Sequence, residues 1–186
     1  MSKIVMVTGG ARSGKSSFSE ELCKVESKEV AYIATSIAFD DGMKDRIKKH
    51  KESRPQYWNT YEAYKDIHNI IDDIEKKHDT VLLDCVTLLV NNLMFDFDVD
   101  WDNISRKKID VIEYYINEQI EKLIDSIKNT DLYFVFVTNE LGMGIVPENR
   151  LSRIYRDIAG RINQKIATLS DEVYLVVSSI PVKVKG

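Results

Sequence analysis

The sequence predicts an α/β fold, a mainly parallel sheet flanked by helices. Three observations predict it. Short β-rich apolar runs recur along the 186 residues, separated by longer segments. Two of those segments place apolar residues at three- and four-residue steps, the period of an amphipathic helix. Residues 9–16 read Gly-Gly-Ala-Arg-Ser-Gly-Lys-Ser directly after the first apolar run, the spelling of a phosphate-binding loop.

The first run, Ile4-Val5-Met6-Val7, feeds that loop, and residues 17–23 continue it as a helix. Gly9 and Gly14 let the backbone approach phosphate oxygens, while the helix aims its unpaired N–H groups and positive dipole end at them. Gly9, Gly10, Ala11, Arg12, Ser13, Gly14, Lys15 and Ser16 are therefore expected to bind a nucleotide. Lys15 reaches the outer phosphates, and Ser16 offers a hydroxyl to a magnesium ion. Further strands are expected at residues 30–34, 81–85, 132–137 and 173–177, whose nearly continuous apolar character suits a sheet covered on both faces. Between residues 104 and 127, Ile109, Ile112, Ile116, Ile120, Leu123, Ile124 and Ile127 form one helical stripe. A second helix is expected to begin at Pro147 and to carry Leu151, Ile154, Ile158, Ile162 and Ile166 on one face. In such a sheet ligands sit beyond the carboxyl ends of the strands, where the loop at 9–16 lies.

Composition narrows the class. With 186 residues, 44% hydrophobic and 30% charged, the chain suits one packed domain, residues 1–186, and no internal repeat or low-complexity linker divides it. A net charge of −4 argues against nonspecific nucleic-acid binding over the whole surface. No apolar run approaches the ~20 residues of a membrane span, and the N-terminus enters a core strand rather than a signal peptide, so a cytoplasmic protein is expected. Cys23 and Cys85 form neither a metal cluster nor a disulfide framework and read as reduced, buried thiols.

Several residues have two readings. The polar stretch after Ala34-Thr35-Ser36 leads into a basic segment that, as a helix, aligns Met43, Ile47, His50 and Arg54. It is either a solvated basic face with an incidental histidine, or a setting in which Arg46, Lys49, Lys51 and Arg54 attract a triphosphate and keep His50 neutral and nucleophilic. His68 and His78 lack such neighbours and are expected at the surface. Asp84 ends the strand Val81-Leu82-Leu83, the usual place for the acidic partner of P-loop magnesium, although many strands end in Asp. Glu62 either bonds a ribose or base edge or is an exposed helix cap. The segment 138–150, with Gly142, Gly144 and Pro147, is either a shaped substrate loop or a glycine turn before a proline-started helix. No Asn-Lys-x-Asp guanine-reading segment occurs, which counts against a switch GTPase.

Together these residues resemble the bifunctional adenosylcobinamide kinase/adenosylcobinamide-phosphate guanylyltransferases of cobalamin biosynthesis, over nearly the whole chain. The carriers are residues 7–16, Tyr32-Ile33-Ala34-Thr35-Ser36, Arg46-Ile47-Lys48-Lys49-His50 with Arg54-Pro55, Leu82-Leu83-Asp84-Cys85, Thr138-Asn139-Glu140, residues 142–151 and Asp171-Glu172-Val173-Tyr174. Residues 142–151 are the most specific of these. The resemblance implies a RecA-like P-loop architecture, a homotrimer and two reactions. ATP or GTP phosphorylates adenosylcobinamide, and GTP then transfers GMP to adenosylcobinamide phosphate through a guanylyl-histidine, with Mg2+ as cofactor. It assigns the histidine to His50 and nucleotide contacts to residues 9–16, Ala34, Thr35, Ser36, Lys51, Glu52, Ser53, Arg54, Glu62 and Asp84. Two spellings depart from the family's commoner one: no tryptophan follows Asp84-Cys85, and Lys48-Lys49 precedes His50. A P-loop small-molecule kinase without nucleotidyl transfer would share the fold and the loop but would not need His50. A regulatory nucleotide-gated module would need no small acceptor.

Overall fold

The computed structural model describes residues 1–27, 29–36 and 55–186. In chain order these form β1 (Lys3–Gly9), α1 (Lys15–Glu26), β2 (Val30–Ala34), β3 (Asn59–Glu62), a 3-10 turn (Ile67–Ile70), α2 (Ile71–Glu75) and β4 (Thr80–Asp84). They continue with α3 (Val86–Phe95), α4 (Arg106–Lys128), β5 (Tyr133–Asn139), α5 (Arg150–Leu169), β6 (Glu172–Val177) and β7 (Ile180–Lys185). The strands make one sheet in the order β3-β2-β4-β5-β1-β6-β7. Every neighbouring pair is parallel except the hairpin of β6 and β7.

Alternation along the buried strands splits the core into two layers. On one face Ala31, Ile33, Val81, Leu83, Phe134 and Phe136 pack against the apolar sides of α2, α3, α4 and α5. On the other, Val30, Tyr32, Leu82, Val135 and Val137 pack with Cys23 of α1 and with Trp58. The predicted stripe of α4 lies on the core as expected, with Ile112, Ile116 and Ile127 fully buried. Ser105 caps that helix by accepting a hydrogen bond from the Lys108 N–H.

Four features differ from the sequence expectation. Helix α5 begins at Arg150, because Asn149 accepts from the Ser152 N–H and caps it, leaving Pro147 in the preceding loop. Strands β3 and β7 occupy the two sheet edges, where exposed residues give no apolar run to detect. Helix α3 is buried on several sides, so its sequence shows no single stripe. His78 is buried, within reach of Asn59 Nδ2 at 3.3 Å and Tyr61 Oη at 3.2 Å through its Nε2.

Candidate active site

The loop at residues 10–14 leaves the carboxyl end of β1 between β5 and β6. Space forces its glycines. A Cβ on Gly9 would lie 2.5 Å from the Val176 carbonyl oxygen of β6 and 2.6 Å from Ser13 Oγ. Gly14 has φ +93°, and a Cβ there would meet Ser179 Oγ at 2.6 Å. Arg12 also takes a left-handed conformation, and the Ser13 N–H closes the turn onto the Gly10 carbonyl at 3.2 Å. The loop is braced from two sides. The Glu140 N–H donates to the Gly9 carbonyl at 3.0 Å, and the Ser179 N–H donates to the Ser13 carbonyl at 2.7 Å. Ser179 belongs to the β6–β7 turn, where Ser178 and Ser179 both have positive φ.

The cradle holds unsatisfied polarity. Among the described residues, the buried Ser13 and Thr8 hydroxyls have no hydrogen-bond partner, and Gly14 caps α1 without a side-chain bond to its first N–H groups. Lys15 is buried, and its Nζ donates to the Gly10 carbonyl at 3.2 Å. Burial pulls its pKa below the usual lysine value, opposed by charge interactions with Cys85 and Asp84. Ser16 is half-buried in the first turn of α1.

Asp84 ends β4 in register with Ala34 of β2, and Ala34 is in turn in register with Glu62 of β3. The three therefore line the carboxyl edge in a row. Tyr32, one residue pair back on the same face, donates its hydroxyl to Asp84 Oδ2 at 2.8 Å. Glu62 ends a strand and caps no helix. The buried Thr35 hydroxyl is used within the fold, donating to the Cys85 carbonyl at 2.8 Å and accepting from the Cys85 N–H at 2.9 Å. Asn92 of α3 donates to the Thr35 carbonyl, while Thr87 accepts from Asn139 and its carbonyl accepts from Tyr155. Buried polar bonds thus tie β2, β4, β5, α3 and α5 together behind the cradle. Burial, with Asp84 adjacent, pushes the Cys85 thiol up to about 11.

The structure places residues 9–16, Asp84, Ala34 and Glu62 at the carboxyl ends of the strands, with Thr35 and Ser36 directly after β2, and with Glu62 on β3 four strands from the loop in the sheet order. His50, Lys51, Glu52, Ser53 and Arg54 lie outside the described residues. Sequence reasoning missed Tyr32 and Ser179. Tyr32 was accessible in principle: pairing the two strands so that Ala34 faces Asp84 sets residue 32 beside that carboxylate. Nothing local to Ser178-Ser179 points to a loop 165 residues away. Among the described residues no group of three or more His, Cys, Asp or Glu is placed to hold a metal ion, and no helix is long and apolar enough to cross a membrane.

The model of the family described as cobinamide kinase / cobinamide phosphate guanyltransferase matches residues 5–184. The chain belongs to this family. Among its curated relatives, the bifunctional adenosylcobalamin biosynthesis protein CobU of Escherichia coli is 46% identical over 182 residues, covering 98% of this chain and 99% of that one. CobU of Salmonella typhimurium is 44% identical over 187 residues, with the same coverage. The bifunctional protein CobP of Pseudomonas aeruginosa is 33% identical over 181 residues, covering 97% and 96%. Membership makes the chain a bifunctional, nucleotide-using transferase, and the loop at residues 9–16 lies inside the matched span.

Proposed function

We propose that the chain performs two successive transfers from one phosphate cradle. ATP or GTP phosphorylates the aminopropanol hydroxyl of adenosylcobinamide. GTP then transfers GMP to that phosphate, giving adenosylcobinamide-GDP and pyrophosphate. The observation that carries this reading is a buried Lys15 beside Asp84, at the mouth of a loop too tight for a side chain at Gly9 and strained for one at Gly14. An anionic ligand relieves the desolvated ammonium, and the partnerless Ser13 hydroxyl supplies a further donor. Phosphoryl transfer asks a protein mainly for positioning and for charge stabilisation, which Lys15 and the loop N–H groups are arranged to give.

Residues 9–16 hold the triphosphate, with Ala34, Ser36 and Glu62 along the same edge for the rest of the nucleotide. Thr35 contributes by fixing the ends of β2 and β4, since its hydroxyl is taken up by Cys85. Ser16 and Asp84 would hold Mg2+. One hydroxyl and one carboxylate suit an ion that takes few protein oxygens and completes its shell with phosphates and water. Bound there, the ion neutralises phosphate charge. For the kinase step Asp84 and Glu140 are the candidate bases.

For the second step His50, assigned by family resemblance, attacks the α-phosphorus of GTP. The bond to the β-phosphate oxygen breaks, and pyrophosphate leaves. An oxygen of adenosylcobinamide phosphate then attacks the guanylyl-histidine, the P–N bond breaks and free histidine returns. Lys51, Glu52, Ser53 and Arg54 follow His50 on the same segment and belong to the nucleotide contacts of this reading. The enzyme acts in the cytoplasm as a homotrimer, a state also taken from the resemblance. The test is incubation with GTP labelled at the α-phosphate, without acceptor. Wild type retains acid-labile label and His50→Ala does not, whereas equal labelling of the two removes His50 from the mechanism. Kinase turnover without label in wild type would favour a simple P-loop kinase.

A further inference from the structure

We propose that the loop between β5 and α5 is the seat of the corrin ring, with Met143, Ile145 and Val146 as its apolar contact surface. This rests on the cobinamide reading above and names where that acceptor binds.

The loop is built rather than slack. At its start, the Glu140 N–H is bonded to the Gly9 carbonyl, and Leu141 packs against the core. The Gly142 N–H donates to Glu140 Oε1. At its end, the Arg153 guanidinium donates to the Pro147 and Glu148 carbonyls, and Asn149 caps α5. Between these anchors the side chains are presented outward: Met143 is 80% exposed, Ile145 96% and Val146 61%. Three large apolar side chains in four residues, held out by a pinned backbone, form the kind of surface that a ligand covers. A polar tip would serve a loop meant only to connect.

Location selects the occupant. The root of the loop is hydrogen-bonded to the phosphate cradle, and five residues span at most about 18 Å, so Ile145 lies within that reach of Glu140, whose N–H holds the Gly9 carbonyl. In both transfers the reacting group of the acceptor must meet the nucleotide phosphates. The corrin ring is carried on the short aminopropanol arm that delivers this group, so the ring is confined to the neighbourhood of the cradle. Its methyl-rich periphery matches an aliphatic and thioether surface. Gly142 and Gly144 flank Met143 and add no side chain of their own, and at Gly144 an added Cβ would meet nothing within 4 Å, so this face of the loop is open.

The experiment measures equilibrium binding of cobinamide through its own visible absorbance, and of GTP by calorimetry, for wild type and Met143→Ser/Ile145→Ser. Loss of two partly covered apolar contacts is expected to raise the cobinamide Kd about tenfold or more. The GTP Kd should stay within about twofold, because neither side chain belongs to the cradle. Met143→Leu/Ile145→Val should restore most of the affinity. An unchanged cobinamide Kd in the serine variant overturns the proposal. So does a drop in its sedimentation mass relative to wild type, which would assign the loop to a contact between copies of the chain. Failure of the wild type to bind or phosphorylate cobinamide would instead strike the underlying functional reading.

Discussion

Substituting Gly9 by alanine tests whether the cradle is set by close packing of the strands rather than by glycine flexibility. Gly9 pairs with Val176 across β1 and β6, and the new Cβ would sit 2.5 Å from the Val176 carbonyl oxygen. That oxygen is backbone and cannot swing aside. The strands must part by roughly 1 Å to reach ordinary contact, and Ser13 Oγ, 2.6 Å from the same Cβ, must also move. Overpacking of this kind costs about 1–3 kcal/mol. With a urea m-value of about 2 kcal/mol/M, the midpoint should fall by about 0.5–1.5 M. The neighbouring Gly10→Ala is the internal control, since a Cβ there meets nothing within 4 Å and its stability should change by less than about 0.5 kcal/mol. Urea unfolding followed by far-ultraviolet circular dichroism measures both. Equal midpoints for the two variants would refute the steric account, and calorimetry with GTP should show Gly9→Ala weakened at least tenfold.

Two further outcomes follow from the charges. Burial raises the thiol pKa of Cys85 to about 11 and that of Cys23 further still, so at pH 8 Ellman's reagent should label neither in the native protein and both after unfolding; rapid labelling of the folded chain would contradict the packing. Glu172 is held down at about 2 by bonds from Tyr174, Lys3 and Lys183, so the folded state binds fewer protons than the unfolded one. Its contribution is complete above the ordinary value of 4.5 and fades as pH falls toward 2. Glu172→Gln should flatten the acid side of the stability profile across that window, and an unchanged profile would remove the residue from acid unfolding.

The parts of this fold that can be read from the chain are those in which burial is one-sided or complete over a strand's length. The five apolar runs became β1, β2, β4, β5 and β6, and the isoleucines of α4 showed their face directly. The edges lacked an apolar run for a physical reason. Asn59–Glu62 is short, polar and mostly exposed, and Ile180–Lys185 is exposed throughout, so Ile180, Val182 and Val184 alternate with Pro181, Lys183 and Lys185 without forming a continuous apolar run. Helix α3 was hidden by the opposite cause, since Thr87, Leu89, Val90, Asn92 and Leu93 are all buried and no polar face remains to set a period. In the site, the spelling of residues 9–16 and the strand-end position of Asp84 carry local signals. Tyr32 and Ser179 act through partners distant in sequence, so only strand register or the completed hairpin reveals them. The burial of His78 belongs to the same class, because its partners Asn59 and Tyr61 come from an edge strand that left no trace.

The brace from the β6–β7 turn has a consequence for when this protein becomes competent. The loop is encoded near the start of the chain, yet its Ser13 carbonyl is held by Ser179, and Ile4 bonds the Asp171 carboxylate 167 residues away. A chain still being synthesised lacks the wall that shapes its cradle, so nucleotide affinity arises only when β6 has slotted beside β1. Such distant pairing is slow to form. A nucleotide arriving then binds only finished molecules, and by mass action it holds the first and last strands together against reopening. Affinity for the triphosphate thus doubles as a seal on the completed sheet.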